Sequence, residues 1–486
     1  MKRFFRVVSL ATVLCGGALA ASAEPTVISL EDAVKIALSE NVSVRVADMD
    51  IRRAEYAKKG TYASLFPQIT ASGTFQRTIK KQVMYMDGMS GNMMGSFFEP
   101  IISALEQNGI HIDMSALTGG ADGGEESSSS TSGGGIEIGR WNTFNGGISA
   151  AMPLVNAQLW QSLKISGQGV ELAVEQARSS RLEAVTQVKQ AFFAVLLAKE
   201  AFKVYKDVYE NALENLAQTQ RKYDVQKVSE LELTRSKSNL ASAIPNVYNA
   251  ESSVILALWQ LKAVMGVDLD MDLDVAGELP EYAGHMFYDI HENDQVNLDL
   301  NTTMRQLAIQ AEQLAATVRM QKYAYLPTLS LNFSYSMNAM TNDFKFSEFR
   351  WTPYSYVGLT LSIPVFTGGK RIYDVKAARL QEAELDLRRS ETERQLKISI
   401  RQLLNTMETN MKSYQSSEEA VKLAQKAYDI SQKSYAVGKS TLTDLHDAEL
   451  TLTQARLASS QAVYNFVNAK ASLEQVLGKD FITPEK

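Results

Sequence analysis

Three residues late in the chain have the types and spacing for chemistry. In YAVGKSTLTDLHDAEL (435–450), Asp444 and Asp447 stand three apart with His446 between them. On a helix that spacing puts both carboxylates on one face. There they could divide acid and base roles, help hold a metal, or line a pore as part of an acidic ring. His446 is turned away from the shared face, and no substrate pocket is evident around the pair. The remaining histidines (His111, His285, His291) are scattered along the chain. No nucleophile–base set emerges, so neither enzymatic activity nor a cofactor is expected. A second acidic run, GVDLDMDLDV (266–275), is spaced like the start of a calcium loop. It lacks the Gly and the bidentate Glu of an EF-hand, and its alternation of Leu and Val with Asp reads as an exposed strand.

The stretch that carries the aspartates has a partner elsewhere, because the chain is written twice. YDVQKVSELEL (223–233) pairs with YAVGKSTLTDL (435–445), and LKAVMGVD (261–268) with LEQVLGKD (473–480), both at an offset of 212. AAMPLVNAQLW and LSIPVFTGGKR align on Pro153 and Pro364, and YASLFPQITASGTF aligns with YAYLPTLSLNFSY on Tyr62 and Tyr323. The last pair is offset by 261, so repeat one holds roughly 50 extra residues between its Pro-marked strands. They form the Gly-, Ser- and acid-rich segment 84–135, within an external loop set at 81–139, and such a composition reads as exposed chain. FFEPIISALEQNGI inside it could form a short helix. Glu232 and Arg235 occupy the positions of Asp444 and Asp447 in repeat one, so the acid pair is not duplicated.

Each repeat spells the same elements. A helical stretch runs to Pro67 or Pro327, which stops it because Pro lacks an N–H and disfavours helix in the residue before. Two alternating segments follow, PQITASGTFQRT with RWNTFNGGISAAM and PTLSLNFSYSM with TPYSYVGLTLSIP; their period of two predicts strands. Trp141, Phe144, Phe333, Tyr335, Trp351, Tyr354 and Tyr356 would suit the aromatic girdles of a membrane barrel. Helical pattern then continues without Gly or Pro from Lys370 to Val437, and with Gly167 and Gly169 near its start from Asn156 to Tyr223. Helices of this length span roughly 100 Å and point to coiled coil. Return helices are expected over about 229–265 and 441–477.

The first residues have a basic start (Lys2, Arg3, Arg6), an apolar middle and Ala21-Ser22-Ala23, which predicts a secretory signal peptide over 1–23. Cys15, the single cysteine, follows Leu14 where a lipoprotein would carry a small residue, so a mature chain without cysteine or lipid is expected. Losing the three cations takes the net charge from −6 to −9, which argues against nucleic acid. No later apolar run approaches the roughly 18 residues of a spanning helix; AFFAVLLA (191–198) is far too short. A membrane crossing would have to be a barrel. Four strands cannot close one, so strands in lipid would require the chain to oligomerise.

In its paired strand-to-helix corners (MPLVN, 152–156; IPVFTGG, 363–369) and paired helix breaks, the chain resembles the TolC-like outer-membrane efflux proteins over about 28–480. The resemblance implies a mainly α fold with a small antiparallel β part. It further implies a homotrimer whose twelve strands form an outer-membrane β-barrel in lipid, continued by a long α-helical periplasmic tunnel. Repeat one would span 24–268, an equatorial connector 269–297 and repeat two 298–486. The implied partners are a periplasmic adaptor and an inner-membrane RND or ABC transporter, and the implied role is the passive exit duct of a tripartite efflux or type I secretion system.

Carried over by position, the periplasmic gate falls on Tyr435, Asp444 and Asp447. Adaptor-contacting tips fall on Val225, Gln226, Lys227 and Val228 and on Val437, Gly438, Lys439 and Ser440; Pro153, Pro364, Gly368 and Gly369 mark the corners. Ser440 stands where the best-known members carry a latching Arg, with Lys439 beside it as a substitute, and Gln226 stands where repeat one would carry Gly. The acids of three chains would crowd one throat and raise some of their pKa values. The competing reading is a periplasmic structural coiled-coil protein without channel activity.

Overall fold

A computed structural model describes residues 26–84, 136–286, 297–345, 347 and 349–479. The expected signal peptide, Cys15, the bulk of the external loop with its short helix, His111 and His291 lie outside the described residues. The chain divides into a helical unit and a strand unit.

The strand unit is a four-stranded antiparallel sheet in the order β2 (Gln68–Arg77), β5 (Asn142–Val155), β7 (Thr328–Thr341), β8 (Thr352–Ser362). The alternation in the sequence becomes two chemically distinct faces, because directly paired residues project to the same side. One row across all four strands is Ile69, Ala150, Phe333 and Val357; the adjacent row on the opposite face is Thr70, Ser149, Ser334 and Tyr356. Thr70 and Ser149 are joined through their hydroxyls at 2.8 Å, and the Asn332 amide donates to Thr360 Oγ1 at 2.9 Å on the polar side. The expected aromatic girdle divides between the faces. Phe144, Phe333 and Tyr335 share the apolar side, whereas Tyr354 and Tyr356 pair with Ser336 and Ser334 on the polar one. At the loop end Phe75, Phe144 and Phe349 stack, with centroids 4.8 and 5.1 Å apart. The base of the external loop carries a short two-stranded ladder, β3 (Gln82–Met84) with β4 (Ile136–Ile138).

The helical unit starts with β1 (Thr26–Ile28), α1 (Leu30–Glu40) and α2 (Val42–Ala63). Its long members are α3 (Ala157–Asp224), α4 (Glu230–Met265), α6 (Lys370–Ala436) and α7 (Leu442–Leu477), with α5 (Thr302–Tyr323) shorter. The 68 residues of α3 and 67 of α6 match the expected lengths closely. AFFAVLLA is core: Phe192, Val195 and Leu196 pack with Leu261 and Met265 of α4, Met407 of α6 and Phe466 of α7.

The acidic run 266–275 is not an exposed strand. Asp268 Oδ1 instead accepts from the Asp270 N–H in a turn at 3.1 Å. Only β6 (Leu273–Val275) is extended, pairing parallel with β1 and burying Leu273 and Val275 in the same core. A 3-10 turn, Leu279–His285, then seats Leu279 there and brings Tyr282 edge-on to Phe193.

The duplication is visible atom by atom. Asn41, which breaks the first helical stretch into α1 and α2, caps Ser43 and donates to the Val264 carbonyl at 2.7 Å. Asn301 caps Met304 and donates to the Val476 carbonyl at 2.6 Å. Each bond ties a helix start to the end of a return helix, beside Gly266 (φ 78°) and Gly478 (φ 67°), whose left-handed backbone ends that helix. A side chain at Gly266 would lie 2.7 Å from the Glu40 carbonyl oxygen, and one at Gly478 closer still to that of Leu300.

Candidate functional site

The two helix breaks are built by one chemical recipe. At the end of α3, the Gln226 N–H donates to the Tyr223 carbonyl and the Lys227 N–H to that of Lys222, both at 2.8 Å. At the end of α6, Gly438 donates to Tyr435 at 3.1 Å and Lys439 to Ser434 at 2.8 Å. Each pattern needs a left-handed residue after the helix, supplied by Gln226 (φ 60°) and Gly438 (φ 76°). Three residues on, Ser229 and Thr441 cap the return helices, their hydroxyls accepting from the N–H groups of Glu232 and Asp444. Val225, Gln226 and Lys227 are exposed with Val228 half-buried, and Val437, Gly438 and Lys439 are exposed with Ser440 half-buried. The tips present the same pattern twice.

Tyr435 is 2 % exposed and belongs to a small apolar cluster with Tyr428, Leu442 and Leu445. Its hydroxyl lies 2.7 Å from Thr219 Oγ1, and the Lys222 ammonium donates to its carbonyl at 2.6 Å while standing 4.0 Å from its ring centroid. Burial raises its pKa, with Thr219 opposing, so the phenol stays a donor at neutral pH. The sequence identified Tyr435 but missed Thr219 and Lys222, which lie one turn before the first break and are spaced for one helix face. The cation at this contact comes from repeat one, not from Lys439. The Ser440 hydroxyl donates to the Ser431 carbonyl at 3.3 Å, tying the turn to its own helix.

Asp444 and Asp447 are exposed, as a shared outward face requires. Asp444 also has a local duty. Its Oδ2 accepts from the Thr441 N–H at 2.9 Å and the Thr441 hydroxyl at 2.7 Å, completing a reciprocal cap. Those two bonds hold its carboxyl below the usual range, so within one chain the shift runs opposite to that expected from crowded acids. His446 is exposed, with Nδ1 4.0 Å from Glu449 Oε2. Among the described residues no group of three His, Cys, Asp or Glu side chains could hold a metal ion.

At the corners, Pro153 lies within β5 at a bulge where Leu154 is the extra residue, and the Asn156 side chain caps Leu159 at 3.1 Å. Pro364 lies beyond the end of β8 in irregular chain, and Gly368 (φ 59°) and Gly369 (φ 80°) lead into α6 with Gly369 as its cap. The two corners thus match in sequence but turn differently.

The chain thus carries two repeats of paired strands and long helices, with one polar and one apolar sheet face. Residues 116–267 and 295–479 match the outer membrane efflux protein family, and the chain belongs to it. Over 342 residues it is 22 % identical to outer membrane protein TolC of Vibrio cholerae, covering 68 % of this chain and 76 % of that one. Against TolC of Escherichia coli the identity is 21 % over 351 residues, 69 % and 70 % of the two chains. The fold is similar to the CmeC outer membrane channel of Campylobacter jejuni (TM-score 0.66, 18 % identity, 97 % and 94 % covered). It is also similar to the open MtrE outer membrane channel of Neisseria gonorrhoeae (0.65, 17 %, 92 % and 88 %). The chain is therefore an outer-membrane efflux channel protein. Among the described residues no helix is long and apolar enough to cross a membrane.

Proposed function

We propose that three copies of this chain form the passive exit duct of a tripartite efflux or type I secretion system. In this reading twelve strands close a barrel in outer-membrane lipid, and the long helices line a periplasmic tunnel. A periplasmic adaptor and an inner-membrane RND or ABC transporter engage the hairpin tips at 225–228 and 437–440, and that contact opens the gate.

The observation that carries the reading is the sheet itself. Among the described residues β2 and β8 are edges with no further strand beside them, and both are exposed along their whole length apart from the half-buried Gly358. Unpaired edges are ruled out in lipid because each unsatisfied backbone group costs several kcal/mol. An apolar face backed by a polar one is the pattern of a barrel wall around a wet lumen. Edge pairing between copies answers both demands, and three copies give an even strand number.

Asp444 and Asp447 are assigned to the pore wall, where an acidic ring favours cations. Tyr435, Thr219 and Lys222 are assigned to holding the hairpins in the resting arrangement. The exposed Val225 and Val437 suit an apolar partner surface at the tips. Membrane fractionation with planar-bilayer recording tests the reading: it expects outer-membrane recovery and cation-preferring conductance. Recovery in the soluble periplasm would sink it and favour the structural coiled-coil alternative.

A further inference from the structure

Five residues beyond Asp444, α7 buries a carboxylate that no Lys or Arg among the described residues pairs with, His446 Nδ1 standing 4.0 Å away. Glu449 is 6 % exposed and, among the described residues, its Oε1 has no hydrogen-bond partner. It lines a small cavity, about 10 Å³ measured at the centre of a water-sized sphere, with Asn215 of α3, Ser236 and Asn239 of α4, and Leu445 and His446 of its own helix. That is room for about a single water. Tyr428 of α6 is close enough to feel the Glu449 charge, and among the described residues its buried hydroxyl also lacks a partner.

The charged and titratable groups facing this site are few. α3 brings Asn211, α4 the neutral Ser236 and Asn239, and α7 His446, while Tyr428 of α6 feels Glu449 together with Glu214, Asp429 and Arg456. Arg456 is directed elsewhere, to Asp207 at 3.1 Å and to the Gln425 side chain at 2.8 Å. Among the described residues no Lys or Arg pairs with Glu449, and a buried carboxylate in that position relieves its charge by taking a proton.

We propose that the Glu449 cavity is a proton-binding site that clasps α3, α4 and α7 together just beyond the hairpin turns. With the carboxyl protonated the three helices close around it; when it ionises, the contact loosens and water enters. Burial pushes the Glu449 carboxyl up to about 7, with Asn211 opposing, and burial together with the Glu449 charge keeps the Tyr428 phenol protonated. Because the folded value lies above the ordinary one, the native state binds the extra proton. The stabilisation is full below the ordinary glutamate range, and it is lost as pH rises through that range to about 7. The clasp is a property of the folded chain; only its consequence for conduction rests on the proposed duct.

Hydrogen exchange, corrected for the intrinsic pH dependence, tests it on the purified protein between pH 5 and 8.5. In peptides covering 207–220, 230–243 and 442–456, opening should rise by at most about tenfold per pH unit up to about pH 7 and then level off. Glu449→Gln, a permanent stand-in for the neutral acid, should flatten the profile at its low-pH level. His446→Gln, which removes the other titratable side chain on the cavity wall, should keep the rise with pH. A flat wild-type profile overturns the proposal whether or not the variants fold. So does a Glu449→Gln protein that keeps the wild-type slope, or a His446→Gln protein that loses it. Failure of the duct reading would appear separately, as absent bilayer conductance with the exchange profile intact.

Discussion

The phenol of Tyr435 in repeat two meets the hydroxyl of Thr219 in repeat one at 2.7 Å, with the Glu232 carboxylate also in hydrogen-bonding reach of that phenol. Thr219 Oγ1 also lies 2.8 Å from the Asn215 carbonyl, so the contact joins both helices through one hydroxyl. Tyr435→Phe keeps the ring and removes only the hydroxyl, leaving a buried hydrogen bond unmade at a cost of about 1 kcal/mol. Lys222→Met removes both the bond to the Tyr435 carbonyl and the cation over the ring. In planar bilayers both variants should lengthen open times, and the double variant should fall short of the sum because the groups share one partner. Additive effects would mean the contacts are independent.

Asp444 and Asp447 look equivalent in sequence but are not equivalent in the fold. Asp444→Ala removes half of a helix cap as well as a charge, so it should fray the start of α7, whereas Asp447→Ala should leave local exchange protection unchanged. Asp444→Gln keeps the reciprocal cap, which Gln supports, while deleting the charge. If the acids line the pore, Asp444→Gln and Asp447→Asn should each weaken cation preference with the turn intact. Unchanged selectivity in both would remove the acids from the pore wall.

The same cap carries a pH signature. The Asp444 pKa is lowered by its bonds to Thr441. Its contribution is therefore present above the ordinary aspartate value and lost as pH falls through the depressed one. Acid below about pH 4 should fray the α7 start, the opposite slope to that expected at Glu449. Exchange of the Thr441–Leu445 amides, followed down to pH 3 in wild type and Asp444→Gln, checks this. A wild-type profile no steeper than the variant's would contradict it.

The hairpin turns give a paired prediction. Gly438→Ala forces a side chain into the left-handed region at a cost of about 1 kcal/mol, with no clash to add to it. Gln226→Gly relieves a comparable strain and should stabilise the other turn. Gly478→Ala should cost more than strain alone, since its side chain would overlap the Leu300 carbonyl. Urea unfolding followed by circular dichroism should rank Gly478→Ala as least stable and Gln226→Gly as most stable.

Much of this was legible because it rested on backbone rules. Pro67 and Pro327, the Gly-free run after Lys370 and the constant offset of 212 placed the long helices within a residue or two. What the pattern could not give was contact between distant segments. Thr219, Lys222 and Glu449 looked like ordinary helix residues until α3, α4 and α7 were brought together. The run 266–275 alternates like an exposed strand, but pairing with β1 turned its apolar side into the core. Asn41 carried no breaking signal strong enough to divide α1 from α2, because its role depends on the distant Val264 carbonyl. Pro245, exposed, lies inside α4 without ending it, against the local rule.

The closing of the sheet between copies is tested most directly by disulfide scanning. Cys15 lies in the expected signal peptide, so a cysteine fixed at Thr70 on β2 can be combined with single cysteines along 352–362 of β8. Edge pairing between three copies predicts cross-links at alternate β8 positions, with dimer and trimer bands on denaturing gels and nothing larger. An absence of cross-links at every position, or a ladder running beyond three, would contradict the closed trimeric barrel.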